Sequence, residues 1–274
     1  MNNAIEQRAV IGEINTYFGP EAPTEATVSS VLYEAYQKAF NRHKPVMLTK
    51  DIVAELGRLG LMLAGGAITS IFSGAKVNDL DFYLKYPEKL EEATAFLAQW
   101  FPEPAYVSPN AITFKRKSKK SNKVWSVQLI KRFSGKAEEI FSTFDFTITQ
   151  GLYDFETSEF VLGERFLQDI ALKRLVYLGG SRYPICAMYR TKKYQLKGYY
   201  LPGSTIMHIA LSIVQLDIKT YKQLKEQLSG IDTIYLQGLF ASEKYQEDLP
   251  VDYGQFMVDA FDSLDGVAKE EDGE

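Results

Sequence analysis

AGGAITSIFSGAKVNDLDFYL, residues 64–84, is the most informative part of this sequence. On a strand, residues i and i+2 share a face, so Asp79 and Asp81 project together while Leu80 and Phe82 point into the core. Adjacent carboxylates repel each other unless a cation neutralises them, and Mg²⁺ prefers carboxylate and phosphate oxygens. The alternation therefore predicts a divalent-cation site on this strand.

A glycine pair lies twelve residues before the acids. The short apolar run Leu61–Ala64 predicts a buried strand that ends in a turn at Gly65–Gly66, followed by one or two helical turns over 67–72. Glycine lets the backbone approach a triphosphate, and a helix N-terminus offers N–H groups to anions. We therefore expect Gly65, Gly66 and the hydroxyl of Ser70, or alternatively Ser73, to hold nucleotide phosphates.

This pattern resembles the signature of the DNA polymerase β-like nucleotidyltransferase superfamily. The signature is a glycine pair, a short gap, and then acid–hydrophobic–acid–hydrophobic, and it is matched by Gly65, Gly66, Asp79 and Asp81. The resemblance implies that an NTP is the substrate and that the two acids bind two Mg²⁺ ions, with Mn²⁺ as a substitute. It also implies a third acid from a later strand.

A second stretch, FDFTITQGLYD at 144–154, resembles the RRDFTINAL motif of CCA-adding enzymes and bacterial poly(A) polymerases. Asp145 to Ile148 align directly, but Thr143 and Phe144 replace the paired arginines. Since that motif helps to hold the ribose, the departures leave sugar and base selection open. Gln128 stands where the family often has an acid, so the resemblance favours Asp145 as the third metal ligand or general base, with a ribose contact as the alternative.

The periodicities predict an α+β fold, with a small mixed sheet and its helices followed by a helical C-terminal domain. Further strands are expected at 111–115, 124–130 and 144–149, and a helix at 87–100. The expected divisions are a helical N-terminal segment over 1–45, the nucleotidyltransferase core over 46–155, and the helical domain with an acidic tail over 156–274.

Two basic patches are candidate contacts for phosphate. Residues 115–123, KRKSKKSNK, hold six cations in the connection between two predicted strands, which favours either a solvated hairpin tip or an RNA contact. Arg190, Lys193, Tyr194 and Lys197 have the spacing of one helix face. Arg190 and Lys193 are therefore candidate nucleotide ligands, and a solvated helix face is the alternative.

Composition excludes several classes of protein. The single cysteine, Cys186, and two histidines exclude an internal disulfide and a zinc site, and they favour a reducing, cytoplasmic location. No apolar run approaches the roughly 18 residues of a membrane helix, so no membrane partner is expected. The formal net charge of −4 argues against a generally basic nucleic-acid binder.

These observations together predict transfer of a nucleotidyl group from an NTP to a hydroxyl, with release of pyrophosphate. The 144–154 motif favours an RNA 3′ end, such as that of a tRNA, as the acceptor. The alternatives are nucleotidylation of a protein or small molecule, and a degenerate protein that binds nucleotide without turnover.

Overall fold

A computed structural model describes most of the chain from residue 50 onward, together with short N-terminal pieces. The described residues are 6–9, 27–28, 30–31, 50–77, 79–99, 101, 105–117, 124–228, 240, 243–256 and 258–259. The chain divides into two compact units, Met1–Leu178 and Gly179–Glu274.

The first unit contains a sheet of eight strands in the order β1-β8-β7-β2-β3-β6-β5-β4. The strands are β1 (Glu6–Ala9), β2 (Leu61–Ala64), β3 (Asp79–Leu84), β4 (Tyr106–Val107), β5 (Ala111–Lys117), β6 (Val124–Ser134), β7 (Gly151–Asp154) and β8 (Glu159–Gly163). Only β3 and β6 pair in parallel, so the sheet is mixed, as the sequence predicts.

Helices accompany the sheet and make up the regular structure described in the second unit. In the first unit they are α1 (Lys50–Arg58), α2 (Gly66–Ser73), α3 (Leu90–Ala98), α4 (Ala137–Phe141) and α5 (Phe166–Ala171). The second unit has α6 (Pro184–Leu196), α7 (Gly203–Val214) and α8 (Tyr221–Gln227). The predicted α+β class, with helices towards the C-terminus, is confirmed.

The central strands have two chemically different faces. Leu63, Leu80 and Phe82 are fully buried on the inner face. The helix α2 packs on this face, where a side chain at Gly151 would come within 2.6 Å of Ile68. We call the opposite side, which carries Asp79 and Asp81, the acid face. There α4 and an apolar cluster that includes Met62, Ala64, Tyr83, Leu152 and Val161 cover the part beside β7 and β8.

The predicted strand at 144–149 is wrong. Thr147–Thr149 form a 3₁₀ turn, and Phe146 makes a single bridge to Tyr177. Hydrogen bonds with residues 176 and 178 satisfy this backbone outside the sheet. The sheet resumes as the β7–β8 hairpin, which a domain boundary at 155/156 would cut. The first unit therefore continues to Leu178.

The N-terminal prediction also needs correction. Glu6–Ala9 form a strand paired with β8 rather than a helix, because the partner strand supplies hydrogen bonds that local propensity does not reveal. Residues 27–28 and 30–31 are helical, as predicted. The rest of 1–45 and the acidic tail at 269–274 lie outside the described residues.

The second unit has its own core. Cys186, Tyr221, Leu224, Tyr245 and Phe256 form a buried cluster, and Cys186 is a free thiol. Across the described parts of both units, no helix combines the length and apolar character that crossing a bilayer requires.

Candidate functional site

The two acids of β3 lie side by side on the acid face. Leu80 and Phe82 are fully buried, whereas Asp79 is exposed and Asp81 is half-buried. Because residues i and i+2 of a strand are separated by roughly 7 Å, the two carboxylates can approach one ligand. The burial of the apolar residues fixes the direction of the acids, as the alternation predicts.

The glycine turn lies at the same end of the sheet as the acids. Ala64, the last residue of β2, is opposite Asp81, so Gly65 and Gly66 continue towards the level of Asp79. Gly65 has a φ of 73°, which side chains disfavour, and its N–H donates to the Gly151 carbonyl at 3.0 Å. A Cβ at Gly66 would have no neighbour within 4 Å, so the backbone there is open to a ligand.

Helix α2 begins at this turn and presents N–H groups there. Its first intrahelical bond runs from the Thr69 N–H to the Gly65 carbonyl at 3.1 Å. The N–H groups that precede it, from Gly66 to Ile68, have no partner within the helix, as at every helix N-terminus. Their dipoles favour an anion, and the nearest candidate is a phosphate held between the turn and the acids.

The second sequence motif packs against the glycine turn. The Thr69 hydroxyl donates to the Ile148 carbonyl at 2.6 Å and to the Gly65 carbonyl at 3.1 Å. The Phe144 ring lies 3.9 Å from the position of a Cβ on Gly65. Its centroid is 5.9 Å from that of Tyr83 on the acid face. Residues 144–148 and the glycine turn thus form one local structure, although they are distant in sequence.

Asp145 is close to this structure but is held differently from the β3 acids. It is 5% exposed, and its backbone carbonyl accepts the Leu178 N–H at 2.9 Å. It does not lie in a strand, contrary to the prediction. Among the described residues, no group of three or more His, Cys, Asp or Glu side chains is arranged to hold a metal. The expected cluster of Asp79, Asp81 and Asp145 is therefore not assembled in this structure.

The neighbouring strand β6 places polar groups opposite both acids. Ser126 is paired with Asp79, and its hydroxyl donates to Asp79 Oδ1 at 2.7 Å. Gln128 is paired with Asp81. The alternation Ser126-Val127-Gln128-Leu129 was a signal for this arrangement, but the sequence does not reveal which strand β6 adjoins.

The structure separates the other predicted nucleotide ligands. Ser70 is 4% exposed because α2 is packed along most of its length, so its hydroxyl is not presented at the turn. Arg190 and Lys193 lie on α6 in the second unit, half-buried and exposed respectively. Tyr194 is buried against Tyr199, so it does not share their face as the spacing suggested. The assignment of Arg190 and Lys193 to the nucleotide remains a prediction.

The basic segment begins on the acid face. Strands β5 and β6 are antiparallel, which confirms the hairpin, and Lys115 lies opposite Ser126. Because β5 extends to Lys117, three of the six cations belong to the strand rather than to its connection. Residues 118–123 lie outside the described residues.

A buried carboxylate that the sequence reasoning missed lies beside the second motif. Asp169 is fully buried; its Oδ1 accepts from Arg174 at 2.8 and 2.9 Å and from Arg165 at 3.3 Å. Its Oδ2 accepts from the Thr147 hydroxyl at 2.7 Å. The spacing of Arg165, Asp169 and Arg174 was a local signal, whereas the contact with Thr147 needs the fold.

A cavity of about 260 Å³ lies elsewhere on the acid face and does not include the acids of β3. Lys85, Asp154 and the apolar side chains of Met62, Leu152 and Val161 are among its lining residues. Lys85 is paired with Asp154 at 3.2 Å. The chemistry of the conserved-looking acid pair therefore belongs to the open surface by the glycine turn, not to this cavity.

Solved structures of CCA-adding enzymes resemble this chain. For the Thermotoga maritima enzyme complexed with tRNA, the identity is 13%, the TM-score is 0.46, and the match covers 71% of this chain and 49% of that chain. A CCA-adding enzyme complexed with CTP gives 13% identity and a TM-score of 0.49, with 90% of this chain and 61% of that chain covered. At such identities and scores we draw no argument about activity from the likeness.

The closer similarity in sequence is to a phage protein. A protein described as Gabija anti-defense 2, from Bacillus phage SPbetaL7, is 34% identical over 200 residues. The match covers 73% of this chain and 49% of the relative, so the chain spans about half the length of that protein. The model of the Gabija anti-defense 2 family matches residues 30–173. Because these residues are more than half of the 274, the chain belongs to the Gabija anti-defense 2 family.

Proposed function

We propose that this chain is a divalent-metal-dependent nucleotidyltransferase that uses Asp79 and Asp81. The observation that carries the proposal is the strand register, which sets the Gly65–Gly66 turn beside the two acids. The resemblance of both motifs to nucleotidyltransferase signatures supports the same conclusion. The donor set also fits: paired carboxylates with a hydroxyl and an amide nearby are hard oxygen ligands, which Mg²⁺ and Mn²⁺ prefer.

The residues of this site would act chiefly by positioning. Asp79 and Asp81 would hold the cations, and the N–H groups at Gly66 and the start of α2 would bind phosphate oxygens. Bound Mg²⁺ would supply charge neutralisation and polarisation of the triphosphate. The acceptor hydroxyl then attacks the α-phosphorus in line; a new O–P bond forms, and the bond to the pyrophosphate leaving group breaks.

Asp145 enters the proposal as a nucleotide contact. The sequence left metal ligation, general base and ribose contact open for this residue. The missing three-acid arrangement among the described residues favours the ribose contact. Its neighbour Phe144 borders the glycine turn, which supports a position near the nucleotide.

Two acceptors have specific support. The 144–154 motif favours an RNA 3′ end, since it resembles that of RNA-terminal enzymes. Membership in a family described as acting against the Gabija defence favours the second candidate, nucleotidylation of a protein or small molecule of that defence.

The decisive experiment incubates the purified chain with each α-³²P-labelled NTP, Mg²⁺, total RNA and a protein extract of host cells that carry the defence. Label that RNase removes would identify an RNA acceptor, and label that protease removes would identify a protein. The Asp79→Asn/Asp81→Asn variant is the matched control, and it should transfer nothing. NTP binding without transfer in any mixture would refute the proposed reaction and favour the degenerate binding protein.

A further inference from the structure

The cation site is built with fewer negative charges than its geometry allows. Across β3 and β6, Ser126 lies opposite Asp79 and Gln128 lies opposite Asp81. Paired residues on adjacent strands project to the same face, and neighbouring strands are roughly 5 Å apart. The four side chains therefore form one polar block that contains two carboxylates, one hydroxyl and one amide.

Gln128 occupies the position where a third carboxylate would join the other two. It is half-buried in the block, and among the described residues no three acidic or imidazole groups gather to hold a metal. Glutamine has the shape of glutamate but carries no charge, and its amide oxygen can still approach a cation. Replacing one atom pair in this side chain would therefore change the charge of the site with little change in its shape.

We propose that Gln128 keeps the intrinsic affinity of the Asp79–Asp81 pair for divalent cations low, so that the cation is retained only together with a triphosphate. The inference rests on the proposed function, because it takes the acid pair to be the cation site. Affinity for hard divalent cations depends strongly on the number of charged ligands. The triphosphate would add the negative charge that the amide withholds.

The amide also explains how the site tolerates the absence of metal. A third carboxylate beside Asp79 and Asp81 would add like-charge repulsion, which disfavours the ionised state of all three acids. An amide can instead donate hydrogen bonds to a carboxylate as well as accept them. The chain can thus fold with the site free of cation and acquire metal and nucleotide in one step.

Titration with Mn²⁺, with the free ion followed by electron paramagnetic resonance, tests the inference on the full chain. Gln128→Glu should bind Mn²⁺ alone with an affinity raised roughly tenfold or more, because a third charge joins the site. Gln168→Glu makes the same chemical change on the exposed surface of α5 and should match the wild type. Inorganic tripolyphosphate, added with Mn²⁺, should raise the affinity of the wild-type chain more than that of Gln128→Glu.

Equal affinity of the wild type and Gln128→Glu for Mn²⁺ alone would overturn the inference. Should repulsion prevent Gln128→Glu from folding without metal, Asp81→Asn/Gln128→Glu restores a two-carboxylate site and should bind Mn²⁺ as the wild type does; tighter binding by it would also overturn the inference. Nucleotide transfer does not enter these measurements. A chain that gains Mn²⁺ affinity through Gln128→Glu but transfers no nucleotide would keep this inference and refute the proposed function.

Discussion

The acids of β3 and the carboxylate of Asp169 are treated in opposite ways by the same unit. Asp79 is exposed and accepts a hydrogen bond from the neutral hydroxyl of Ser126. Asp169 is fully buried and is bound by two arginines and a threonine. A buried charge is very costly unless it is paired and hydrogen-bonded, whereas an exposed one keeps its hydration.

This difference separates two roles for a carboxylate. Asp169 has its countercharge within the fold and links α5 to Thr147 of the second motif, so its role is to hold the structure together. Asp79 and Asp81 share a face with like charge and stand beside an open backbone turn, which suits a pair that awaits a ligand. Exchanging acids for amides in each region tests this division, since the two regions should fail in different assays.

The largest effect is expected for Asp79→Asn/Asp81→Asn. Removing both charged ligands should lower nucleotide transfer by roughly 10³-fold or more, because charge neutralisation of the triphosphate depends on the held cation. The same change removes like-charge repulsion, so the melting temperature in EDTA should equal or exceed that of the wild type. Transfer of labelled NTP and thermal melting would be measured on the same samples.

This prediction separates function from structure at the acid pair. A large fall in melting temperature in EDTA would show that the acids stabilise the fold, and retained transfer would show that they are not the metal ligands. Either result would remove the distinction from Asp169. Asp145→Asn, assayed alongside, should reduce transfer while the chain stays folded.

Asp169→Asn should instead reduce stability. The amide cannot neutralise the two arginines, and breaking a buried ion pair typically costs about 3–5 kcal/mol. Because Arg165 and Arg174 are partly exposed, we expect the lower end of this range. Urea unfolding measures the change, and Glu55→Gln is the control, since its exposed pair with Arg58 should contribute less than about 1 kcal/mol. Equal losses in the two variants would mean that burial of Asp169 does not matter.

Sequence reasoning identified the part of the site that depends on local periodicity. The alternation in Asp79–Leu84 fixed which residues face outward, and Gly65 was identifiable because its turn requires a residue without a side chain. These features depend on residues that are close in sequence, and the structure confirms them.

The remaining features depend on partners that are distant in sequence. The parallel pairing of β6 with β3 places Gln128 opposite Asp81, and no periodicity within either strand encodes it. The residues of β7 are buried on both faces, so this strand lacks the polar–apolar alternation that marks a half-buried strand. Likewise, 144–149 have strand-like composition but bond to 176–178 instead of the sheet. Tertiary pairing overrode local propensity in each case.

The basic segment provides a third test of the comparison, with a smaller effect. Lys115 shares the acid face through Ser126 and is exposed, unlike the arginines bound to Asp169. Changing Lys115, Lys117, Lys119 and Lys120 to Gln should weaken RNA binding about tenfold and flatten its salt dependence by roughly 0.7 log units per lost phosphate contact. Binding of Mn²⁺ with tripolyphosphate should not change. Unaltered RNA affinity across a salt series would identify the segment as a solvated hairpin.

The smallest effect is expected for Ser126→Ala, which removes the neutral donor from Asp79. One hydrogen bond to an exposed carboxylate contributes about 1 kcal/mol to stability, so melting should change only slightly. The hydroxyl also fixes the orientation of the carboxylate, and its loss should weaken Mn²⁺–tripolyphosphate binding a few-fold, because more side-chain freedom is then lost on binding. Ser73→Ala is the matched control: its hydroxyl donates to the Ser70 carbonyl at 3.3 Å within α2, so it should cost similar stability without altering binding. If the two variants bind the complex equally well, Ser126 only stabilises the strand pair and does not orient Asp79 for a ligand.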